Sequence, residues 1–350
     1  MNQFMTILMT LTFCLIGSAT ADESKPWTIN SKAIPIPLGA SESLQNSLRS
    51  TDQPNTKLRK SQAPKRREDW DRLIAERAKS RSTPLKQVEQ MMNVKIKKDL
   101  IDGITVYWIT PNKKAEEHRN QIMLYVHGGA YVFGGGDASV AEAAIIANSS
   151  GITALSVDYR MPPDHPFPQA VDDTVRVYKE VLKDYKPTAI ALGGTSAGGG
   201  LALAVTHQLK LLGLPLSGAI YAGTPWADLT KTGDTLYTNE GLDRVLVTYN
   251  GTLEGAALLY ANGKNLKSPL LSPVYGDFTD FPPTILVTGT RDMFLSDTAR
   301  THQKIRASGG TADLLVFEGL SHAGYLFDLA SPESRQTYQE ISGFLKEHLE

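Results

Sequence analysis

From residue 121 onward the chain alternates short apolar runs with longer amphipathic segments. The runs are QIMLYV (121–126), ITALSV (152–157), AIALGG (189–194), GAIYAG (218–223), TILVTG (284–289) and ADLLVFEG (312–319), each bounded by turn residues. Between them lie helix-length stretches such as AVDDTVRVYKEVLKDY (170–185) and GLALAVTHQLKLLG (200–213). Near-continuous apolar strands alternating with helices predict an α/β fold, a mostly parallel doubly wound sheet covered on both faces. In such sheets ligands bind just beyond the carboxyl ends of the strands. The residues after each run are therefore where chemistry is expected.

Residues 22–98 read differently, being polar, with scattered prolines and no β-like alternation. One amphipathic helix stands out, KRREDWDRLIAERAKS (65–80), with Trp70, Leu73, Ile74 and Ala78 on one face and Glu68–Arg72 as an i,i+4 pair. Its basic excess, from Lys57 to Arg81, is read as a solvated face rather than a membrane-contact surface.

Composition narrows the function classes. With 350 residues, 41% of them apolar, the chain can bury a large core, and a net charge of −1 with no single-sign tail argues against nucleic acid as the main partner. An apolar stretch over residues 4–16, followed by Ala19-Thr20-Ala21, reads as a secretory signal peptide cleaved near Ala21, although no Lys or Arg precedes it. Export is the expectation, and a retained membrane anchor the alternative. Cys14, the only cysteine, lies inside that segment, so no disulfide or cysteine nucleophile is expected beyond it. The histidines show no zinc-binding spacing, so neither a metal nor another cofactor is expected.

The run 189–194 leads into Gly194-Thr195-Ser196-Ala197-Gly198, a G-x-S-x-G pattern between a strand and a helix. Small flanking residues allow a turn sharp enough to expose a serine hydroxyl at a helix N-terminus. There the free N–H groups and the helix dipole favour developing negative charge. Serine is a poor nucleophile unless a base takes its proton, and that base must itself be oriented. Asp292 follows run 284–289 and His322 follows run 312–319, both at strand ends, while Asp297 is a competing carboxylate. A tetrahedral intermediate also needs donors for its oxyanion. The N–H of Ala197 is one, and the glycine-rich HGGA (127–130) after the first run supplies others. A phosphate cradle is excluded, because no G-x-x-x-x-G-K-[ST] occurs.

The blocks HGGAYVFGG, DYRMPPDHPFPQAVDD, GTSAGGGLALA, TPWADLT, GTRDMFLSD and GLSHAGYLF occur in that order. In them the chain resembles the hormone-sensitive-lipase-like family of α/β-hydrolases, in its bacterial esterase and lactonase branch, from about Val94 to the C-terminus. The resemblance implies an α/β-hydrolase fold with a helical cap. It places the nucleophile on Ser196, the acid on Asp292 and the base on His322, with oxyanion donors on Gly128, Gly129, Ala130 and Ala197. It implies residues 22–95 as linker and cap segment, 96–350 as the hydrolase domain, and 231–267 as a second cap segment. His165 matches a position read as structural, and His127 is read as a loop anchor.

Two departures stand out. Ala130 replaces the family's third glycine, and Thr195 stands where aspartate is common. Since every residue but proline has an N–H, Ala130 can still donate, and it is expected to hold the loop to ordinary L-residue dihedrals. The implied activity is serine carboxylic-ester hydrolysis of short or medium acyl esters or small lactones. Alternatives are a non-catalytic small-molecule binder on the same scaffold and an amide or peptide hydrolase. Membrane contact is expected only if the N-terminal segment is retained. Oligomeric state is left open, with a homodimer as one candidate.

Overall fold

The fold is seen in a computed structural model, which describes residue 31 and residues 33–81 and 83–350. The expected signal peptide, including Cys14, lies outside the described residues. Eight strands form one sheet: β1 (Val94–Ile101), β2 (Ile104–Pro111), β3 (Ile122–Val126), β4 (Thr153–Val157), β5 (Ile190–Thr195), β6 (Ala219–Gly223), β7 (Thr284–Gly289) and β8 (Ala312–Phe317). Their order is β1-β2-β4-β3-β5-β6-β7-β8. The six strands from β3 to β8 run parallel, whereas β2 is antiparallel to both β1 and β4.

All six apolar runs of the sequence are strands. The β1–β2 hairpin is not among them, and β1 begins at Val94 inside a stretch that reads as lacking alternation. The reason is that β1 is an edge strand in which Val94 is buried but Lys95, Lys97 and Lys98 face solvent, so its apolar positions are diluted by lysines.

Helices cover both faces. Leu124, Val126, Leu155 and Leu192 point into one core with α6 (Gln169–Val181) and α7 (Ala197–Leu211). On the alternate residues, Met123, Tyr125, Ala154 and Ala191 point into a second core with α5 (Ala141–Ser150) and α11 (Pro332–His348). A period of two with both faces buried is why these strands read as unbroken apolar runs. α10 (Leu295–Ala307) closes the β6–β7–β8 side through Ile305.

Before the sheet come α1 (Glu42–Ser50), α2 (Thr56–Ser61), α3 (Arg67–Arg81) and α4 (Leu85–Met92). Trp70 of α3 is buried against Val132, Phe133 and Ala256, with Leu73 and Ile74 beside it, so the apolar face seen in sequence is the docking face. The expected Glu68–Arg72 pair is not the contact formed. Arg72 pairs with Asp69 at 3.0 Å and Arg67 with Asp71 at 3.1 Å. Between β6 and β7 lie α8 (Thr235–Thr238) and α9 (Thr252–Ala261).

Candidate active site

β5 ends at Thr195 and α7 begins at Ala197, so Ser196 carries the whole reversal, at φ 63° and ψ −123°. A serine at positive φ stores roughly 1–3 kcal/mol of strain, which the surroundings must hold. They do so through hydrogen bonds: the Ser196 N–H donates to the Gly223 carbonyl at 2.8 Å, and the Trp226 and Gly200 N–H groups donate to the Ser196 carbonyl at 2.9 and 3.0 Å. The flanking glycines are a packing requirement, because a Cβ on Gly194 or Gly198 would lie 2.1 Å from the Val126 carbonyl oxygen. The G-x-S-x-G spacing thus reflects how closely β3 passes the turn.

The loops after β5, β7 and β8 bring three side chains into line. His322 Nε2 lies 2.8 Å from Ser196 Oγ, and His322 Nδ1 lies 3.0 Å from Asp292 Oδ1. Asp292 also accepts from the Phe294 N–H and the Thr288 hydroxyl, each at 2.8 Å, while Asn239 holds its carbonyl at 2.8 Å. Asp292 and His322 are both buried. Burial works against a positive charge on His322, but the carboxylates of Asp292 and Asp243 outweigh it and hold the imidazole above the usual histidine range.

Asp243 is a residue that sequence reasoning missed. It sits between β6 and β7 and is fully buried. Its Oδ1 caps the Val245 and Leu246 N–H groups at 2.8 and 3.2 Å. Its Oδ2 accepts from Met293 at 3.0 Å and, more weakly, from the His322 N–H at 3.4 Å. Burial, reinforced by the charge of Asp292, pushes its carboxyl up to about 6, against the opposing pull of His322 and the backbone donors. No motif surrounds it in GLDRVL, so nothing in the sequence marked it.

The competing carboxylate, Asp297, does not reach the imidazole by any hydrogen bond. It is buried on α10, accepts from the Asp228 N–H at 3.0 Å, and leaves Oδ1 without a partner among the described residues. Burial, then the neighbouring Asp228, pushes its carboxyl well above the carboxylate range. His165 is exposed and is tied to the chain by its N–H, which donates to the Met161 carbonyl.

The glycine-rich loop departs from expectation at Ala130. Its φ is +55°, and Tyr131 follows at +62°, so the alanine occupies the left-handed region rather than ordinary L-residue dihedrals. Around it Gly129, at φ +114°, receives the Val132 and Phe133 N–H groups on its carbonyl at 3.0 and 2.8 Å. This tight turn demands consecutive positive φ, and Ala130 and Tyr131 are held there because the Tyr131 ring is buried and stacked on Tyr260 at 4.0 Å. The N–H groups of Gly128, Gly129, Ala130 and Ala197 have no protein acceptor among the described residues.

The DYR block supports this loop. Tyr159 stacks on His127 at 4.2 Å and donates its hydroxyl to the His127 carbonyl at 2.8 Å, and Asp158 accepts the Gly136 N–H at 2.8 Å. Among the described residues the ring of His127 hydrogen-bonds only the neighbouring Gly128 carbonyl, and burial lowers its basicity, as suits an anchor.

A cavity of about 700 Å³ opens over Ser196 and His322, with Gly128, Gly129 and Ala130 in its wall. Phe133, Leu246, Leu253 and Phe327 supply apolar surface, and Arg59 and Arg77 come from the helices before the sheet. That size and mixture suit a small, largely apolar ligand. Among the described residues no group of three or more His, Cys, Asp or Glu is placed to hold a metal ion.

Comparison with known proteins agrees with this geometry. The family model described as alpha/beta hydrolase fold matches residues 123–326. An acetyl-hydrolase of Streptomyces hygroscopicus is 30% identical over 243 residues, covering 69% of this chain and 79% of its own. A crystallised esterase is 42% identical with a TM-score of 0.90, covering 93% of this chain and 99% of that one. Another, from the bacterial hormone-sensitive lipase family, is 31% identical with a TM-score of 0.69, covering 82% of this chain and 100% of that one. The chain belongs to the α/β-hydrolase family, in its hormone-sensitive-lipase-like branch.

Proposed function

We propose that this chain, a carboxylic ester hydrolase, cleaves small esters through Ser196, His322 and Asp292 by way of an acyl-enzyme. The observation that carries the reading is the continuous line from Ser196 Oγ to His322 Nε2 at 2.8 Å and from Nδ1 to Asp292 at 3.0 Å, on the floor of the cavity. Ser196 Oγ attacks the acyl carbon as its proton passes to Nε2. The carbonyl oxygen becomes an oxyanion and is received by the free N–H groups of Gly129, Ala130 and Ala197, with Gly128 as a fourth donor at hand. Collapse breaks the ester C–O bond, and the imidazolium returns its proton to the leaving alkoxide. Water, deprotonated by the same imidazole, then attacks the acyl carbon and frees the acid and Ser196. Asp292 fixes the tautomer with the proton on Nδ1 and offsets the charge on the ring.

The acyl and alcohol parts would lie between Phe133, Leu246, Leu253 and Phe327, in a space suited to short or medium acyl chains or small lactones. Residues from both α2–α3 and the 245–253 stretch line this space, so we assign both to a cap over the site. Ser196→Ala is expected to abolish turnover of a p-nitrophenyl ester while leaving the circular dichroism spectrum unchanged. A fluorophosphonate should label Ser196 alone. Substantial residual turnover, or an adduct on another residue, would sink the assignment. Rates on acyl esters of graded length and on a few lactones set the substrate range.

A further inference from the structure

Behind the turn that carries Ser196 lies a carboxylate that the reaction does not use. Glu142, on the first turn of α5, is buried, and its Oε1 accepts from the hydroxyls of Thr195 and Tyr221 at 2.8 Å each. Its Oε2 accepts from the Tyr125 hydroxyl. Tyr325, three residues beyond His322, places its own hydroxyl 3.0 Å from Thr195 Oγ1 and 2.9 Å from the Tyr221 hydroxyl. Burial drives the Glu142 carboxyl up and the hydroxyl donors draw it back, leaving it above the usual range.

Each hydroxyl of this cluster brings one proton. Those of Thr195, Tyr221 and Tyr125 converge on Glu142, Tyr325 donates to Thr195 or Tyr221, and the buried Tyr338 hydroxyl also acts on the Glu142 carboxyl. The cluster also touches the Ser196 turn twice. Thr195 is the residue before the nucleophile, and Gly223, whose carbonyl holds the Ser196 N–H, faces the same hydroxyls. A Cβ on Gly223 would come within 2.2 Å of the Tyr325 oxygen, 2.4 Å of the Tyr221 oxygen and 2.5 Å of Thr195 Oγ1. A single carboxylate thus ties β3, β5, β6 and the segment after His322 to one point.

We propose that Glu142 is a positioning residue for the reaction, fixing the distance between Ser196 and His322 by holding Thr195 directly and Tyr325 through Thr195 and Tyr221. The inference rests on the proposed roles of Ser196 and His322. Residue 195 must then be a proton donor as long as residue 142 is an acceptor. An aspartate at 195 would set two carboxyls within hydrogen-bonding distance, where they must share a proton or repel.

A double-mutant cycle on p-nitrophenyl butyrate tests this. Thr195→Asp is expected to lower kcat about 100-fold with KM within about threefold, the scale of a 1 Å misplacement of reacting groups. Glu142→Gln, which replaces one of the two acceptor oxygens with an NH2 donor, is expected to lower kcat about tenfold. In the double variant the amide NH2 can donate to the carboxylate at 195 while its oxygen still accepts from a tyrosine, so kcat should exceed that of Thr195→Asp at least tenfold. Independent effects that simply multiply would overturn the proposal. Should Thr195→Asp fail to fold, Thr195→Val carries the test: kcat about tenfold lower at unchanged KM is expected, and wild-type kcat refutes the idea. Fluorophosphonate labelling of the wild-type enzyme keeps the two readings apart. If Ser196 does not label, the proposed function fails; if it labels and the cycle shows no coupling, only the role of Glu142 fails.

Discussion

The two sides of the proposed reacting centre are held by different means. On the acid–base side, His322 and Asp292 are placed by side-chain oxygens and an amide: Asp243 on the His322 and Met293 N–H groups, Thr288 on Asp292, and Asn239 on the Asp292 carbonyl. On the proposed oxyanion side, the N–H groups from Gly128 to Ala130 are placed by the backbone itself, bent through positive φ at Gly129, Ala130 and Tyr131. Side-chain placement depends on charge and so responds to pH and to isosteric substitution. Backbone placement depends on dihedral strain and so responds to whether a Cβ is present, scarcely to pH.

The largest effect is expected on the charged side. Asp292→Asn keeps the size of the side chain but offers a donor to Nδ1, which favours the wrong tautomer, and kcat should fall about 10⁴-fold. Asp297→Asn should leave kcat within about twofold, because Asp297 makes no hydrogen bond to the imidazole. Kinetics of the two variants on one ester decide the matter, and the reverse ranking would move the acid role to Asp297.

Asp243→Asn comes next, with kcat expected to fall about tenfold. Its pH signature is more informative than its size. Asp292 and Asp243 are the charges that lift His322, so removing one lowers the folded-state pKa of the imidazole. As the proposed base, the imidazole must be neutral to take the serine proton, so the acid limb of kcat/KM should move to lower pH. Because burial pushes the Asp243 carboxyl up to about 6, the wild-type limb should be broadened by the coupled pair and sharpen in the variant. An unmoved limb would reduce Asp243 to a cap on the Val245 and Leu246 N–H groups.

Asp297 gives a stability test on the same side. Its folded pKa is raised, so the folded state binds more protons than the unfolded chain. Stability is therefore lost as pH rises from the unfolded carboxylate value, about 4, toward the folded one. Asp297→Asn removes that loss, so its melting temperature relative to wild type should climb between pH 4 and pH 8. A difference that stays flat across this range would mean the carboxyl is ionised in the fold.

This contrast also explains what was legible in the sequence. The strands from β3 to β7 were legible because both their faces are buried, and β8 because its run stays apolar although Asp313 and Val316 face solvent. β1 was not, since its lysines face solvent. Ser196, Asp292 and His322 could be nominated because each is a reactive residue type placed after an apolar run. Asp243 and Glu142 carry the same chemistry but lie in a connecting segment and on a helix, where an acidic residue is ordinarily solvated, and only the packing around them removes water. The glycine-rich loop could be located, but its dihedrals could not be read, because residue type constrains φ only loosely and tertiary contacts choose the rest.

Ala130 therefore offers the smallest and most specific test of the backbone side. At φ +55° an alanine carries about 1–2 kcal/mol of strain that glycine does not. Glycine gives back about 0.4–1 kcal/mol through the freer unfolded chain. Ala130→Gly should then stabilise the fold by roughly 0.5 kcal/mol, seen as a small rise in melting temperature, with kcat within about twofold since the N–H donor is kept. Ala130→Val keeps the same N–H, but a β-branched residue resists this region more strongly, so both stability and kcat should fall. If the glycine variant lost activity while the valine variant kept it, bulk at position 130 would matter more than the backbone dihedral. The distinction between the two sides of the site would then disappear.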